Sequence, residues 1–274
     1  NNLPYKCIVI FASIQSACRV GHFLTAMKRT QIAILLFVFL FIACQEEKTL
    51  VFEALILDET RCSECPEVVI NIPKAVEKSK VGETINNSIQ EEIIEILNYD
   101  DENDATTIKD AVKTFSQGYW DLKKLYPEET TVWEATIDGL VTFEDDSIIT
   151  IELNTYLFTG GAHGYSSKRY LNFDKSNGVE LENWQLFQDR KNFESFAEQK
   201  FRDQEQIPTE EPINSTGLMF ERDRFYLPEN IGFTTEGIKL HYNPYEVASY
   251  ADGPIEVTLP FKEVEPFLTK RTKS

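Results

Sequence analysis

After position 43 the chain contains two histidines, one close pair of cysteines and a concentration of tyrosines, and these are the residues with chemistry to offer. His163 sits in Gly160-Gly161-Ala162-His163-Gly164, and His241 lies between Leu240 and Tyr242. Imidazole titrates near neutrality, so His163 is a candidate general base or ligand. No nucleophile stands at a fixed spacing from it, and Ser166 and Ser167 form no nucleophile elbow. The competing role for His163 is a hydrogen bond that fixes its own loop. His241 alternates with apolar neighbours and is expected on a sheet face. The 45 acidic residues offer too many combinations to single out a hydrolytic carboxylate pair.

Cys62-Ser63-Glu64-Cys65 suits a local disulfide in an oxidising compartment. A redox-active pair belongs at a helix N-terminus, which stabilises the thiolate, whereas here a β-rich run from Glu67 to Ile72 closes on Pro73. A zinc site would need two further ligands at matching spacing, and neither a second Cys pair nor a His pair is close in sequence. Seven of the eleven tyrosines fall between Tyr156 and Tyr250. Tyr165, Tyr242, Tyr245 and Tyr250 are candidate contacts because tyrosine offers broad amphipathic area at low entropy cost. Packing of a loop over the sheet is the alternative use for them.

The first 43 residues hold four basic side chains and no acidic one. Residues 44–274 carry 23 basic against 45 acidic side chains, a net charge of −22. Such a surface repels phosphate backbones, which excludes nucleic acid as an expected partner, and it attracts cationic ones. Met27-Lys28-Arg29, twelve apolar residues from Ile32 to Ala43, and Cys44 have the layout of a signal peptide. Twelve residues make about 18 Å of helix, short of a bilayer span. Residues 1–43 are therefore read as a signal segment, with Met27 the expected start and 1–26 an extension.

Behind these residues lie elements that must position them. Phe52 to Leu57 and Val68 to Ile72 read as strands flanking the CxxC turn. Ile85, Ile89, Ile93 and Ile96 stripe a helix over Glu83 to Asn98, and Ile108, Val112, Phe115, Tyr119 and Leu122 stripe another from Thr107 to about Tyr126. The acidic run Asp100 to Asp104 lacks the Gly and distal Glu of a calcium loop and reads as a solvated connection. From Trp133 the period becomes two, giving a hairpin of Leu140–Phe143 with Ile148–Phe158, then a strand Tyr165–Phe173. Helices come next near Asn183–Phe187 and Lys191–Arg202. The chain closes with a hairpin of Asn230–Thr234 and Ile238–Tyr242, a strand Ile255–Leu259, and a helix Phe261–Leu268. This order predicts an α+β fold of mostly antiparallel sheets with packed helices, in two intimately associated halves.

Two stretches together carry a family resemblance: Tyr156-Leu157-Phe158-Thr159-Gly160-Gly161-Ala162-His163-Gly164, and Asn243-Pro244-Tyr245-Glu246-Val247-Ala248-Ser249-Tyr250-Ala251-Asp252-Gly253 with its flanks. They resemble the extracytoplasmic domain family shared by the anti-sigma factor RsiV and the non-catalytic N-terminal region of PdaC-type deacetylases. Phe41-Ile42-Ala43-Cys44 likewise resembles a bacterial lipobox, which implies lipidation at Cys44, and the acids directly after it resemble a surface-export tag. The resemblance divides the chain into a PdaC N-terminal-like domain at 44–155 and an RsiV C-terminal-like domain at 156–274. Neither a sigma-binding segment nor the deacetylase's metal-binding histidine pattern has a counterpart here, so neither activity is carried over.

The expectation is a lipid-anchored envelope lipoprotein of the outer membrane, periplasmic or surface-exposed. It is expected to act as a binding module for a cationic protein such as lysozyme or for a cell-wall glycan, without cofactor or metal. Gly160, Gly161, His163, Tyr165, Tyr242, Tyr245 and Tyr250 are its expected binding residues, where the glycine-rich turn and the 243–253 loop are expected to meet. The alternative is an envelope glycan hydrolase or deacetylase-related enzyme with His163 and nearby acids at its site.

Overall fold

The computed structural model describes residues 50–59, 62–98, 105–128 and 130–269. Residues 1–43, read from sequence as a signal segment, Cys44, the acidic run at 100–104 and the last residues lie outside them. Five strands form the first sheet in the order β1 (Phe52–Asp58), β2 (Glu67–Ala75), β3 (Glu134–Glu144), β4 (Ile148–Phe158) and β5 (Tyr165–Asp174). All neighbours are antiparallel except β2 and β3, which run parallel. That pair is joined by two helices, α1 (Lys80–Leu97) and α2 (Ile108–Leu125), and a parallel pair requires such a long crossover. The 155/156 division read from sequence falls inside β4.

Both crossover helices begin where the sequence supplies a cap. The Ser79 hydroxyl accepts from the Gly82 N–H at 3.1 Å, and Thr107 accepts from the Asp110 N–H at 3.2 Å. Pro127 stands just past the end of α2, where no helix can continue. The isoleucine stripe of α1 and Val112, Phe115 and Tyr119 of α2 pack on Val68, Ile70, Ala135, Ile137, Ile149, Ile151 and Leu171. This buries one face of the sheet, and Trp133 sits fully inside against Phe115 at 5.3 Å between rings.

The opposite face of β3 to β5 receives a second, three-stranded antiparallel sheet of β6 (Asn230–Thr234), β7 (Gly237–Tyr242) and β8 (Ile255–Leu259). The Thr142 hydroxyl donates to the Phe233 carbonyl at 2.8 Å, and the Asn172 amide donates to that of Ile231 at 2.7 Å. Gly232 permits this approach, because any Cβ there would collide with the Tyr170 ring. Beyond this sheet lie the short α3 (Asn183–Leu186), α4 (Arg190–Glu205) and α5 (Phe261–Val264), which close a phenylalanine-rich core around Phe193, Phe201 and Phe233. The expected closing helix over 261–268 is interrupted: α5 ends at Val264 and a 3₁₀ turn, Glu265–Phe267, completes it around Pro266. The architecture is α+β, with mostly antiparallel sheets.

Candidate functional site

β4 turns into β5 through Gly160 and Gly161, whose φ angles of 108° and 93° favour glycine, although a Cβ at either would meet nothing. Gly164 is required for space instead, since a Cβ there would stand 2.5 Å from the Tyr156 ring. His163 Nδ1 lies 3.0 Å from the Gly164 carbonyl oxygen. A carbonyl can only accept, so Nδ1 carries the proton. The Tyr250 hydroxyl donates to the same carbonyl at 3.0 Å, and the two rings stack at 3.9 Å and 15°. The hydrogen bond that fixes the loop is thus present.

The turn and the 243–253 loop therefore meet. The loop is held to β5 by Asn243, whose carboxamide accepts from the Lys168 N–H at 2.8 Å and donates to the Lys168 carbonyl at 3.0 Å. Tyr165 adds a hydrogen bond to the Pro244 carbonyl at 3.3 Å. Glu246 accepts from the Asn243 N–H at 2.9 Å and from the Glu229 N–H at 3.3 Å. Burial raises its carboxyl pKa above the ordinary value, against those two hydrogen bonds. Between them Tyr245 adopts a left-handed φ of 71°, is 57% exposed, and stacks on Tyr250 at 5.6 Å. Ser249 has a φ of −69°, and its hydroxyl donates to the Asp252 carboxylate.

Tyr242 corrects the expectation. It is fully buried, packs edge-on against Phe201 at 5.5 Å, and donates its hydroxyl to the Tyr226 carbonyl at 2.7 Å. It is a core residue of β7, where both sheet faces are covered, and no ligand reaches it. His241, one position earlier, is buried on the face toward the first sheet.

Beside the aromatic contact runs a cleft of about 330 Å³, walled by Tyr156, Pro244 and Pro254 and lined by Asp138, Asn154, Ser166, Lys168 and His241. Beneath it lies a set of compensated charges. Lys168 Nζ stands 3.3 Å from carboxylate oxygens of both Glu152 and Glu256. Glu256 also meets His241 Nδ1 at 3.2 Å and Lys239 Nζ at 2.7 Å. The His241 hydrogen bond, aided by Lys239 and Lys168, outweighs burial and holds the Glu256 carboxyl well below the usual range. Lys168, Asn154 and Glu256 escaped the sequence reading. Their only signal was alternation on β4, β5 and β8, which marks a face without telling what covers it.

Cys62 and Cys65 form a disulfide at the turn between β1 and β2. Among the described residues no group of three or more His, Cys, Asp or Glu side chains could hold a metal ion, and no helix is long and apolar enough to cross a membrane.

Two family models match the chain: one described as deacetylase PdaC over residues 59–166, and one described as a protein of unknown function, DUF3298, over residues 185–262. A crystal structure of a DUF3298 family member from Bacteroides fragilis superposes with a TM-score of 0.64 at 21% identity, covering 81% of this chain and 95% of that one. A DUF3298 family protein from Pseudomonas aeruginosa superposes with a TM-score of 0.63 at 17% identity, covering 82% and 98%. At these identities the likeness establishes the fold. No curated protein matches.

Proposed function

For a chain that carries a PdaC-like domain followed by a DUF3298 domain, we propose a lipid-anchored binding module of the cell envelope. It takes its ligand where the glycine-rich turn meets the 243–253 loop. The observation that carries this reading is the stacked contact of His163, Tyr250 and Tyr245, an aromatic rim where the turn and the loop meet, next in the chain to Pro244 of the cleft wall. Tyr245 is held outward in a left-handed conformation, and its neighbours Asn243 and Glu246 are locked by hydrogen bonds, so the rim needs little ordering on binding. Gly160, Gly161 and Tyr165 shape it.

Binding is favoured over the hydrolase alternative on two grounds. Among the described residues no carboxylate or serine hydroxyl is hydrogen-bonded to His163, whose ring stacks on Tyr250. A general acid needs a raised pKa, but Glu256 beside the cleft's histidine is held below the usual range, and Glu246, whose carboxyl is raised, has both oxygens bonded to backbone N–H groups. The ligand classes in keeping with the rim and the −22 charge are a cationic protein such as lysozyme and a cell-wall glycan. The anchor is Cys44, on an outer-membrane lipoprotein facing the periplasm or the surface.

The test is binding of the protein from Gln45 onward to lysozyme and to envelope glycans across a salt series, with Tyr245→Ala and His163→Ala beside it. Saturable binding of either ligand that weakens at least tenfold in the variants, without turnover, supports the module. Turnover lost in His163→Ala with binding retained would establish the hydrolase instead. Lysozyme binding that any cationic protein reproduces and modest salt abolishes, with no glycan bound, would reduce the effect to net charge and overturn the assigned site.

A further inference from the structure

A second cleft, of about 560 Å³, lies away from these residues between α2 and the disulfide turn. One wall is a helical stripe: Lys109, Lys113, Ser116 and Trp120 fall at intervals of four, three and four residues, one above the other on α2. The other wall is Leu57 from the end of β1 with Cys65 and Pro66, and the buried Val112 forms the floor. The walls are fixed. The disulfide closes the turn, the Tyr119 hydroxyl donates to the Glu64 carbonyl at 2.9 Å, and Trp120 packs edge-on against Tyr119 at 4.8 Å.

The charge here runs against that of the chain. With 45 acidic residues available, Lys109 and Lys113 have no carboxylate partner among the described residues, while Lys124, Lys168, Lys175, Lys200 and Lys239 all do. Glu59 on the rim is already engaged. Trp120 remains 37% exposed over the cleft. From Lys109 to Trp120 the helix rises roughly 16 Å at 1.5 Å per residue. Two ammonium groups without a carboxylate partner among the described residues at one end, and an apolar channel leading to an indole at the other, form an elongated amphipathic site.

We propose that this cleft binds a free single-chain anionic amphiphile, its carboxylate or phosphate head on Lys109 and Lys113 and its chain along Val112, Leu57, Pro66 and Trp120. The head gains charge-assisted hydrogen bonds and the chain leaves water, and neither contribution depends on the aromatic rim of the proposed module.

The experiment is calorimetric titration of the whole protein with decanoate below its micelle concentration, with decyltrimethylammonium as the cationic control and anionic vesicles as the membrane arm. Saturable one-to-one binding of decanoate is expected, at least tenfold weaker for Lys109→Gln/Lys113→Gln and for the cationic control. His163→Ala should bind decanoate as the parent does, which separates this site from the aromatic rim. Equal binding of both decyl compounds, indifference to the double substitution, or no binding at millimolar decanoate would overturn the proposal. Capture by vesicles without decanoate binding would also overturn it, in favour of a membrane-facing surface.

Discussion

The Asn243 carboxamide occupies both backbone hydrogen-bonding groups of Lys168, at 2.8 and 3.0 Å, so one side chain does on the edge strand β5 what a neighbouring strand would do. Asn86 of α1 makes the same pair of contacts, both at 2.9 Å, to the N–H and carbonyl of Ala75 at the end of β2. Blocking an edge in this way leaves fewer free backbone groups for unwanted pairing. It also fixes the 243–253 loop against the cleft, which makes Asn243 one of the links between the second sheet and the candidate site.

Replacing Asn243 with Ala should therefore unlatch the loop. Two hydrogen bonds at about 1 kcal/mol each are lost and two backbone groups are left to solvent, so unfolding stability should fall by about 1–3 kcal/mol. Asn243→Asp keeps an acceptor but loses the donor and should not restore the parent's stability. Urea denaturation of the three proteins, with hydrogen exchange at the Lys168 amide, checks both statements.

Glu256 predicts an acid-side loss of stability. Its folded-state pKa lies below the ordinary 4.5 because of His241, Lys239 and Lys168, so the unfolded chain takes up its proton first. The stabilisation is complete above the unfolded-state pKa and disappears as pH falls from about 4.5 through the lower folded value. Glu246, Glu92 and Glu180 are raised chiefly by burial, have the opposite sign, and favour the fold on acidification. The difference between the parent and Glu256→Gln in denaturation midpoint, tracked from pH 7 to pH 3, isolates Glu256 and should shrink on the acid side.

Gly232→Ala should be disruptive despite its small size. The added methyl group would enter the ring of Tyr170, which is 4% exposed and has no room to retreat. Overpacking of this kind costs about 1–3 kcal/mol, and here it would push β6 away from β5. Gly161→Ala is the contrast: its φ of 93° adds backbone strain, but no atom stands within 4 Å of the new methyl group. Thermal unfolding of the pair should show the larger loss at Gly232.

Tyr242→Phe separates core from surface. It removes a buried hydroxyl that donates to the Tyr226 carbonyl and should lower stability by about 1 kcal/mol while leaving any ligand affinity unchanged. Tyr245→Ala should do the reverse, since that ring is exposed and its backbone is strained. Denaturation and binding measured side by side on both variants check the assignment.

The sequence alone determined most of the elements, because helix and strand periods are local. The isoleucines at 85, 89 and 93 fix α1 by spacing, and alternation through Ala135 and Ile137 marks β3. The glycine-rich turn and the Asn243-Pro244-Tyr245 stretch were each legible as a short local pattern, and it was the family resemblance that read them together. Tertiary structure alone decided the rest. β6 and β7 lie in a middle layer with nearly every residue buried, so no alternation told Tyr242's inward hydroxyl from an outward one. The parallel pairing of β2 with β3 results from where two helices carry the chain, and the grip of Asn243 on Lys168 spans 75 residues. Lys109 and Lys113 lie off the apolar stripe of α2, and only the closure of the disulfide turn over their face made them the end of a cleft. Contacts between distant segments depend on how layers stack, and a period along the chain carries no record of that.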